Sequence, residues 1–295
     1  MYRHAVQLAI TGVIFLLLHG MVLVSADELQ TIRNCTLVKT DWADGDSFLV
    51  KDSTGKEFTI RLYCVDCVEY HIHDKTDAAR LRGQRRYFGI SKYGGSYETS
   101  IAAAKKFGEQ ATLAMKNELK DPFTVHTAFA DGRGDGKHKR YYGFVTTSKS
   151  EDLGEKLVKL GLARAFGVYR KTPEGRTSKD HRNWLKDIEL QSAKNGAGIW
   201  AVTDWATLPE ERRANREEAA ELELATKGKP LDEDFKINLN TAARDKLMQL
   251  PGVGEVLANR IIERRPFKTI QEIIEVDGIG QKKSKDLQPY LKLVD

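Results

Sequence analysis

The sequence predicts an α+β protein made of a five-stranded Greek-key β-barrel with helices, followed by a small all-α domain. Short β-branched runs bounded by turn residues fill much of the first half, and segments with helical spacing are interleaved with them. The last stretch of about 60 residues instead contains an internal repeat of helical character. A chain of 295 residues has the length of two ordinary domains.

The five strand signals appear in order through the first domain, which we place at residues 33–202. A turn at Asp44-Gly45 precedes the second run, and Ser53-Thr54-Gly55-Lys56 separates the second run from the third. Each run is short and rich in β-branched or aromatic residues, as a barrel strand requires. The five runs cover residues 36–38, 47–50, 58–63, 123–125 and 141–146.

Helical spacing occurs in three further segments of this domain, at residues 100–119, 153–160 and 182–193. Residues 209–225 also favour a helix, but nearly all of them are polar, which predicts a solvated spacer helix. This helix belongs to a charged spacer at residues 203–234, and Gly228-Lys229-Pro230 marks the linker itself.

Charge is sorted along the chain. The total of 47 Lys and Arg against 42 Asp and Glu gives a net charge of only +5. Residues 70–107 nevertheless carry +5, residues 204–234 carry −5 and residues 237–295 carry +2. A hydrophobic content of 41% excludes a disordered or collagen-like chain. The sorting of charge, more than its total, indicates nucleic acid as a partner.

Residues 1–26 predict an export signal. A basic start at Arg3 and His4 leads into an apolar run over residues 5–24, and Ser25-Ala26 supplies small residues around a cleavage point. A cleaved signal is favoured, which predicts an exported protein, periplasmic or extracellular, without stable membrane insertion. The minor alternative is an uncleaved N-terminal membrane anchor, because the run approaches the length that spans a bilayer.

The three cysteines cannot all pair with one another. Cys64 and Cys67 have redox-motif spacing, but an extended i, i+3 pair lies about 10 Å apart, too far for a disulfide. We therefore predict buried packing thiols.

The last domain, placed at residues 235–295, contains two similar turns, Gly252-Val253-Gly254 and Gly278-Ile279-Gly280, which lie 26 residues apart. Each turn follows an apolar run and precedes a helical pattern. The amides that open such a helix form a site for phosphate, assisted by the helix dipole. Lys282 and Lys283 flank the second turn. These features predict DNA binding, and the alternative is that both turns only cap helices in a packing module.

Residues 235–293 resemble the tandem helix-hairpin-helix domain of bacterial competence-type DNA receptors. The resemblance is carried by Leu250-Pro251-Gly252-Val253-Gly254, Pro266-Phe267, the second Gly-x-Gly turn and the run Ile237-Asn238-Leu239-Asn240-Thr241-Ala242. It implies binding of duplex DNA through the phosphate backbone, without sequence readout. Asp277 stands where proline is common, and an anion there implies weaker binding by the second hairpin.

Residues 36–200 resemble the staphylococcal nuclease (thermonuclease) family, which implies an OB-fold barrel. The motifs that carry the resemblance are Asp44-Gly45-Asp46-Ser47, Arg61-Leu62-Tyr63-Cys64-Val65-Asp66-Cys67-Val68-Glu69, Arg140 before Tyr141-Tyr142-Gly143, and the closing Ile199-Trp200. Val68 departs from the family's usual proline and predicts a looser loop around Glu69, and Gly167 stands in place of a family aromatic.

The candidate site residues fit phosphodiester hydrolysis on chemical grounds. Asp46 and Asp66 supply hard oxygen ligands suited to Ca²⁺. Arg61 and Arg140 can each grip phosphate oxygens with a bidentate guanidinium. Glu69 would act as general base or orient the attacking water. The resemblance further implies that Asp44 lies in the outer metal shell and that Cys67 contributes its backbone carbonyl. Taken alone, Arg61 and Asp66 would instead form a plain ion pair at a strand end.

Residues 70–107 form a basic insertion after Glu69, with four arginines clustered beside Tyr87 and Phe88: Arg80, Arg82, Arg85 and Arg86. Arginines with aromatics can hold single-stranded nucleic acid by charge and stacking. The equal alternative is a helix with a solvated basic face.

These observations predict an exported, Ca²⁺-dependent endonuclease that hydrolyses DNA and also RNA, with a tail that holds duplex DNA. The resemblance implies cleavage of the P–O5′ bond, which leaves 3′-phosphates. The first alternative is a noncatalytic exported DNA-binding receptor or retention protein, and the second is a membrane-anchored nuclease. The sequence implies no particular protein partner.

Overall fold

The computed structural model describes residues 29–131, 139–226 and 235–293. The predicted signal at residues 1–26 and the linker Gly228-Lys229-Pro230 lie outside these ranges. Within them, no helix combines the length and the apolar character that crossing a membrane would need.

Five strands close into a barrel in the order β1-β2-β3-β6-β5, and each predicted run overlaps one of them. Strands β3 and β6 pair in parallel, while the other neighbours in the barrel are antiparallel. The predicted α+β class with a five-stranded barrel is therefore confirmed. The strands are β1 (Gln30–Val38), β2 (Ser47–Lys51), β3 (Glu57–Leu62), β5 (Phe123–Asp131) and β6 (Arg140–Thr146).

The barrel interior is filled by apolar side chains from every strand. Phe48, Ile60, Val125 and Val145 are completely buried. Removing one such side chain from water contributes about 1.5–3 kcal/mol. All three cysteines are free and buried, which confirms the prediction of packing thiols.

A two-stranded ribbon beside the barrel was not predicted from the sequence. It consists of β4 (Val65–Cys67) and β7 (Ala163–Ala165), which pair antiparallel and place Asp66 directly opposite Arg164. Strands of three residues are too short to show a periodic signal. The ribbon fixes the segment that leads from β3 to Glu69.

Five α-helices accompany the barrel in the ranges 29–131 and 139–226. The three predicted ones are present as α2 (Tyr97–Glu118), α3 (Leu153–Lys159) and α4 (Ser178–Lys194), and the polar segment forms α5 (Leu208–Thr226). The basic insertion forms α1 (Lys75–Phe88), which begins at an Asp74 cap that accepts the amides of Thr76 and Asp77. This cap satisfies amides that a helix start leaves unpaired.

Helix α5, which the sequence predicts as a solvated spacer helix, packs one of its faces against α1. Glu218 forms ion pairs with both Arg82 and Arg86. Arg212 donates to the backbone carbonyl of Tyr87 at 2.9 Å and stacks on its ring. Hydropathy could not predict this contact, because ion pairs and stacking, not apolar side chains, form much of it.

The four clustered arginines of the insertion form ion pairs or hydrogen bonds with other residues of the same chain. Arg80 pairs with Glu69, and Arg85 is buried and donates to Ser100 at 3.0 Å. Together with the two pairs to Glu218, these contacts occupy all four arginines. Neither sequence-based alternative, a single-strand platform or a solvated basic face, describes the cluster.

The tail is a separate, mostly helical unit with its own core. Leu239, Leu247, Ile261, Ile273 and Leu287 are completely buried in it. A short parallel pairing of β8 with β9 joins its two ends. Its elements are β8 (Ile237–Asn238), α6 (Arg244–Leu247), α7 (Glu255–Arg264), a 3₁₀ turn (Ile270–Glu275), α8 (Gln281–Leu287) and β9 (Leu291–Lys292).

Asp152→Asn is expected to raise Tm more at pH 8 than at pH 5. Asp152 caps α3 by accepting the Glu155 amide at 2.8 Å, and burial, aided by the charges of Glu155 and Glu174, raises its pKa to about 7. A raised carboxyl pKa means that the folded state binds the proton more tightly than the unfolded state, so stability is lost as pH rises from about 4 to 7. Asparagine keeps the cap without the charge.

The measurement is Tm against pH for both proteins, and a gain of about 2–4 °C is expected at pH 8 for each kcal/mol relieved. An equal difference between the two proteins at both pH values would contradict the assignment.

Candidate active site

An aspartate turn at the start of β2 directs Asp46 into the protein. Asp44 Oδ1 accepts the amides of Ser47 at 2.6 Å and of Asp46 at 3.2 Å, a local turn that aspartate side chains favour. Asp46 is 2% exposed, and its Oδ2 accepts the backbone N–H of Cys67 at 2.7 Å. The turn is thereby tied to the segment that carries Asp66 and Glu69.

Arg61 bridges the two aspartates. Its Nη1 lies 3.2 Å from Asp46 Oδ1, and its Nη2 lies 3.0 Å from Asp66 Oδ1. Burial alone would lower the Arg61 pKa, but the charges of Asp46, Asp66 and Asp44 together raise it well above its usual value. The ion pair that the simpler alternative predicted is therefore present, as part of a larger buried cluster.

Asp66 is held on both oxygens. Its Oδ2 accepts Arg164 Nε and Nη2, each at 2.8 Å, and Gln84 Nε2 at 2.9 Å. Burial opposes ionisation here, yet Arg164, Arg61 and the hydrogen bond from Gln84 lower the Asp66 pKa to about 2. This carboxylate is ionised throughout the physiological range.

Glu69 lies close to the same cluster and is 8% exposed. Its carboxylate pairs with Arg80, and its backbone N–H donates to Gln84 Oε1 at 2.8 Å. Burial raises its pKa above the usual value; Arg80 and Arg61 oppose this shift, and Asp46 and Asp66 add to it. A carboxylate with a raised pKa beside two aspartates suits proton transfer from water.

Arg140 begins β6, the parallel neighbour of the Arg61 strand. Burial, followed by the positive charge of Arg61, lowers the Arg140 pKa. The two guanidinium groups therefore lie close enough for their charges to repel, and a bound anion would relieve that repulsion.

The donor set fits a hard divalent cation. Burial and the negative charges of Asp46 and Glu69 raise the Asp44 pKa well above its usual value, so these carboxylates crowd one another. A bound cation would relieve that repulsion. Among the described residues, however, no group of three or more His, Cys, Asp or Glu side chains is arranged as a ready metal site.

The backbone of Cys67 is hydrogen-bonded within the cluster. Its carbonyl accepts Gln84 Nε2 at 2.8 Å, and a carbonyl oxygen keeps a second lone pair for another partner. Burial, followed by the charge of Asp46, raises the pKa of its thiol well above the usual value. The thiol is therefore protonated in these surroundings.

A cavity of about 240 Å³ opens onto the cluster. Arg61, Asp66, Arg80 and Arg164 line it from the barrel domain, and Arg244 and Met248 of the tail complete its wall. A basic lining with one aspartate suits a phosphate group more than a neutral ligand. The structure thus brings Asp46, Arg61, Asp66, Cys67 and Glu69 into one cluster, with Arg140 beside it.

Three further residues of the site did not emerge from the sequence as site residues: Arg80, Gln84 and Arg164. Gln84 and Arg80 lie on α1, about one helical turn apart, and Arg164 is the cross-strand neighbour of Asp66. Their contact with the acids depends on tertiary register. The signal that remained in the sequence was the concentration of arginines after Glu69, which we interpreted as a surface feature.

The two hairpin turns of the tail have the predicted backbone. Gly252 has φ of +68° and Gly278 has φ of +94°, the left-handed region that glycine adopts without strain. Gly254 and Gly280 precede α7 and α8, and a Cβ added at either position would meet no atom within 4 Å. The space in front of both helix starts is therefore open.

The side chains around these turns have unequal roles. Val253 and Ile279 are buried, so only their backbone can face a ligand. Lys282 is exposed, and Lys283 Nζ donates to Gly252 O at 3.2 Å and so links the two turns. The arginines after the first turn form contacts within the tail: Arg260 with Asp277, Arg264 with Glu275 and Arg265 with the carbonyls of Leu239 and Ala242.

The chain combines a closed five-stranded barrel, a buried cluster of arginines and carboxylates, and a unit with two glycine-turn hairpins. A family model described as staphylococcal nuclease homologue matches residues 59–202, and one described as helix-hairpin-helix motif matches residues 233–292. The chain therefore carries a staphylococcal nuclease family domain followed by a helix-hairpin-helix motif, as the sequence predicted.

The nuclease-family match includes Arg61, Asp66, Glu69 and Arg140 but begins after Asp46. A search of curated proteins found no match.

Proposed function

We propose that this protein is an exported nuclease that uses Ca²⁺ to hydrolyse phosphodiester bonds of DNA and RNA, and that its tail binds duplex DNA without sequence preference. The observation that carries the proposal is the buried cluster in which Arg61 bridges Asp46 and Asp66 beside Glu69. The free energy needed to bury these charges is hard to explain by stability alone, because buried ion pairs seldom stabilise a fold more than apolar packing does.

Asp46, Asp66 and the Cys67 carbonyl would hold the cation. When bound, Ca²⁺ supplies charge neutralisation on a phosphate oxygen. Arg61 and Arg140 bind the remaining phosphate oxygens and favour the more highly charged transition state. Glu69 accepts a proton from the attacking water, whose oxygen bonds to phosphorus. The P–O5′ bond breaks, the 5′ oxygen takes up a proton, and the phosphate stays on the 3′ side.

The tail would hold duplex DNA close to this cavity. The space beside Gly254 and Gly280 at the starts of α7 and α8, where an added Cβ would meet no atom within 4 Å, and the exposed Lys282 and Lys285 support binding to the phosphate backbone. Tethering raises the local concentration of DNA at the barrel without any new contact to the scissile bond. Export rests on the signal pattern of residues 1–26.

Glu69→Gln is expected to remove plasmid cleavage, since glutamine cannot accept the proton from water. Supercoiled plasmid is incubated with the protein in Ca²⁺ or in EDTA, alongside the variant, and a gel shift is recorded in parallel. Conversion to open-circular and linear forms is expected for the wild type in Ca²⁺ only. Arg82→Gln, which removes a charge from the α5 contact, is the control that should remain active.

Intact plasmid in every tube, with the gel shift retained, would refute the enzyme proposal. That result would instead support the noncatalytic DNA receptor.

A further inference from the structure

Gln84 lies on α1, in the basic insertion, and its side chain is completely buried. Its amide makes three hydrogen bonds to the segment 66–69. The carbonyl Oε1 accepts the Glu69 N–H at 2.8 Å, and Nε2 donates to Asp66 Oδ2 at 2.9 Å and to Cys67 O at 2.8 Å. A single side chain therefore contacts three of the four residues of the segment 66–69.

No other side-chain type of this size can make the same set of contacts. The bonds to Asp66 and Cys67 need a donor, and the bond from the Glu69 amide needs an acceptor. Only a carboxamide carries both kinds of atom on one planar group. A glutamate would lose both donors and place a second negative charge beside Asp66. A methionine would leave the Glu69 amide and the Cys67 carbonyl buried without this partner, at a cost of about 1–3 kcal/mol for each such group.

The same segment is also approached by α2. A Cβ added at Gly108 would lie 2.3 Å from Val68 O, so the helix backbone approaches the segment as closely as glycine permits. Both α1 and α2 therefore contact the segment 66–69. Val68, which has no ring to restrict its φ, is 2% exposed in this segment.

Gln84 does not line the cavity that Arg61 and Asp66 share. Its bonds instead fix the second oxygen of Asp66, whose first oxygen faces Arg61, and the backbone position from which the Glu69 side chain extends. Outer hydrogen-bond partners of this kind orient the groups that carry out the chemistry.

We propose that Gln84 is a positioning residue that sets the orientation of Asp66 and Glu69, and that the inserted helix α1 is part of the active site. The proposal rests on the proposed nuclease function. The insertion would then help to position Asp66 and Glu69. Neither the spacing of its charges nor its exposed surface indicates this role.

The test compares Gln84→Met and Gln84→Glu with the control Arg82→Gln, whose arginine lies on α1 but pairs with α5. Each protein is assayed for kcat and KM on a single-stranded oligonucleotide in saturating Ca²⁺, for Tm, and for amide hydrogen exchange of residues 67–69. For both Gln84 variants we expect kcat to fall about 10–100-fold, with KM within about twofold of the wild type. Exchange at residues 67–69 should become faster, and the control should match the wild type in kcat and exchange.

A kcat within twofold of the wild type with unchanged exchange would overturn the proposal, as would loss of folding in both Gln84 variants, because a positioning amide must be removable without unfolding the chain. If the wild type cleaves nothing, the proposed function fails. The exchange data then decide separately whether Gln84 holds the segment.

Discussion

Arg61→Lys is expected to lower kcat for DNA hydrolysis by about a hundredfold to a thousandfold, the range seen when one donor to a transition-state anion is lost. The lysine keeps the positive charge but has a single ammonium group. It cannot contact Asp46 and Asp66 through two separate nitrogens, as Nη1 and Nη2 of Arg61 do at 3.2 and 3.0 Å. The loss therefore reflects the geometry of the guanidinium and not its charge.

The measurement is kcat and KM on a single-stranded oligonucleotide in Ca²⁺, with Tm as a check on folding. Arg82→Lys makes the same change at an arginine that faces α5 and should leave kcat unaltered. A kcat for Arg61→Lys within about threefold of the wild type would remove Arg61 from the catalytic assignment.

Ending the chain after Gly228 is expected to weaken binding of long duplex DNA by at least about a hundredfold at moderate salt, the lower end of the gain that tethering provides. The truncation removes both hairpins and leaves the barrel with α5. The dependence of affinity on salt should also become shallower, because a protein that makes fewer phosphate contacts releases fewer counterions when it binds. Unchanged affinity would refute the role of the tail.

A charge-reversed variant tests whether the lysine side chains of the tail bind DNA, without removal of the tail itself. Lys282→Glu with Lys285→Glu changes two exposed lysines of α8 and should reproduce much of the loss in duplex affinity. Lys116→Glu with Lys120→Glu makes the same change in net charge at exposed positions at the end of α2, away from the hairpins. Equal weakening by both pairs would show a general charge effect and not a binding site.

The barrel could be predicted from the sequence because its strands are short β-branched or aromatic runs bounded by turns, and because apolar residues recur at helical spacing in α2. Ala104, Ala111 and Met115, which recur at helical spacing in α2, are completely buried. Helix α1 gave no such signal. Its buried positions include Leu81 and Phe88 but also Gln84 and Arg85, so a hydropathy pattern cannot distinguish it from a solvated helix.

The acids and arginines of the site could be predicted for a different reason. Asp46, Arg61, Asp66 and Glu69 lie on or next to consecutive strands, and the motifs that carry them resemble a known family. Arg164 lies almost 100 residues after Asp66 and meets it only through the pairing of β4 with β7. A cross-strand register of this kind cannot be deduced from local spacing.

The tail also combines features that local sequence predicts with features that only tertiary contacts determine. The spacing of the Gly-x-Gly turns predicted two hairpins, and left-handed glycines occupy both. The fate of the neighbouring arginines could not be predicted, since Arg260 and Arg264 pair with Asp277 and Glu275 from the other hairpin. Charge count alone overestimates the basic surface that remains for DNA.

The most direct test of the central claim is the mass of the products from one defined oligonucleotide, incubated in Ca²⁺ with the wild type and with Glu69→Gln in parallel. Hydrolysis at this site predicts paired fragments from the wild type, one ending in a 3′-phosphate and the other beginning with a 5′-hydroxyl, and an intact strand from the variant. An intact oligonucleotide with both proteins, or the same fragments in equal yield from both, would contradict the assignment of this cluster as a phosphodiesterase site.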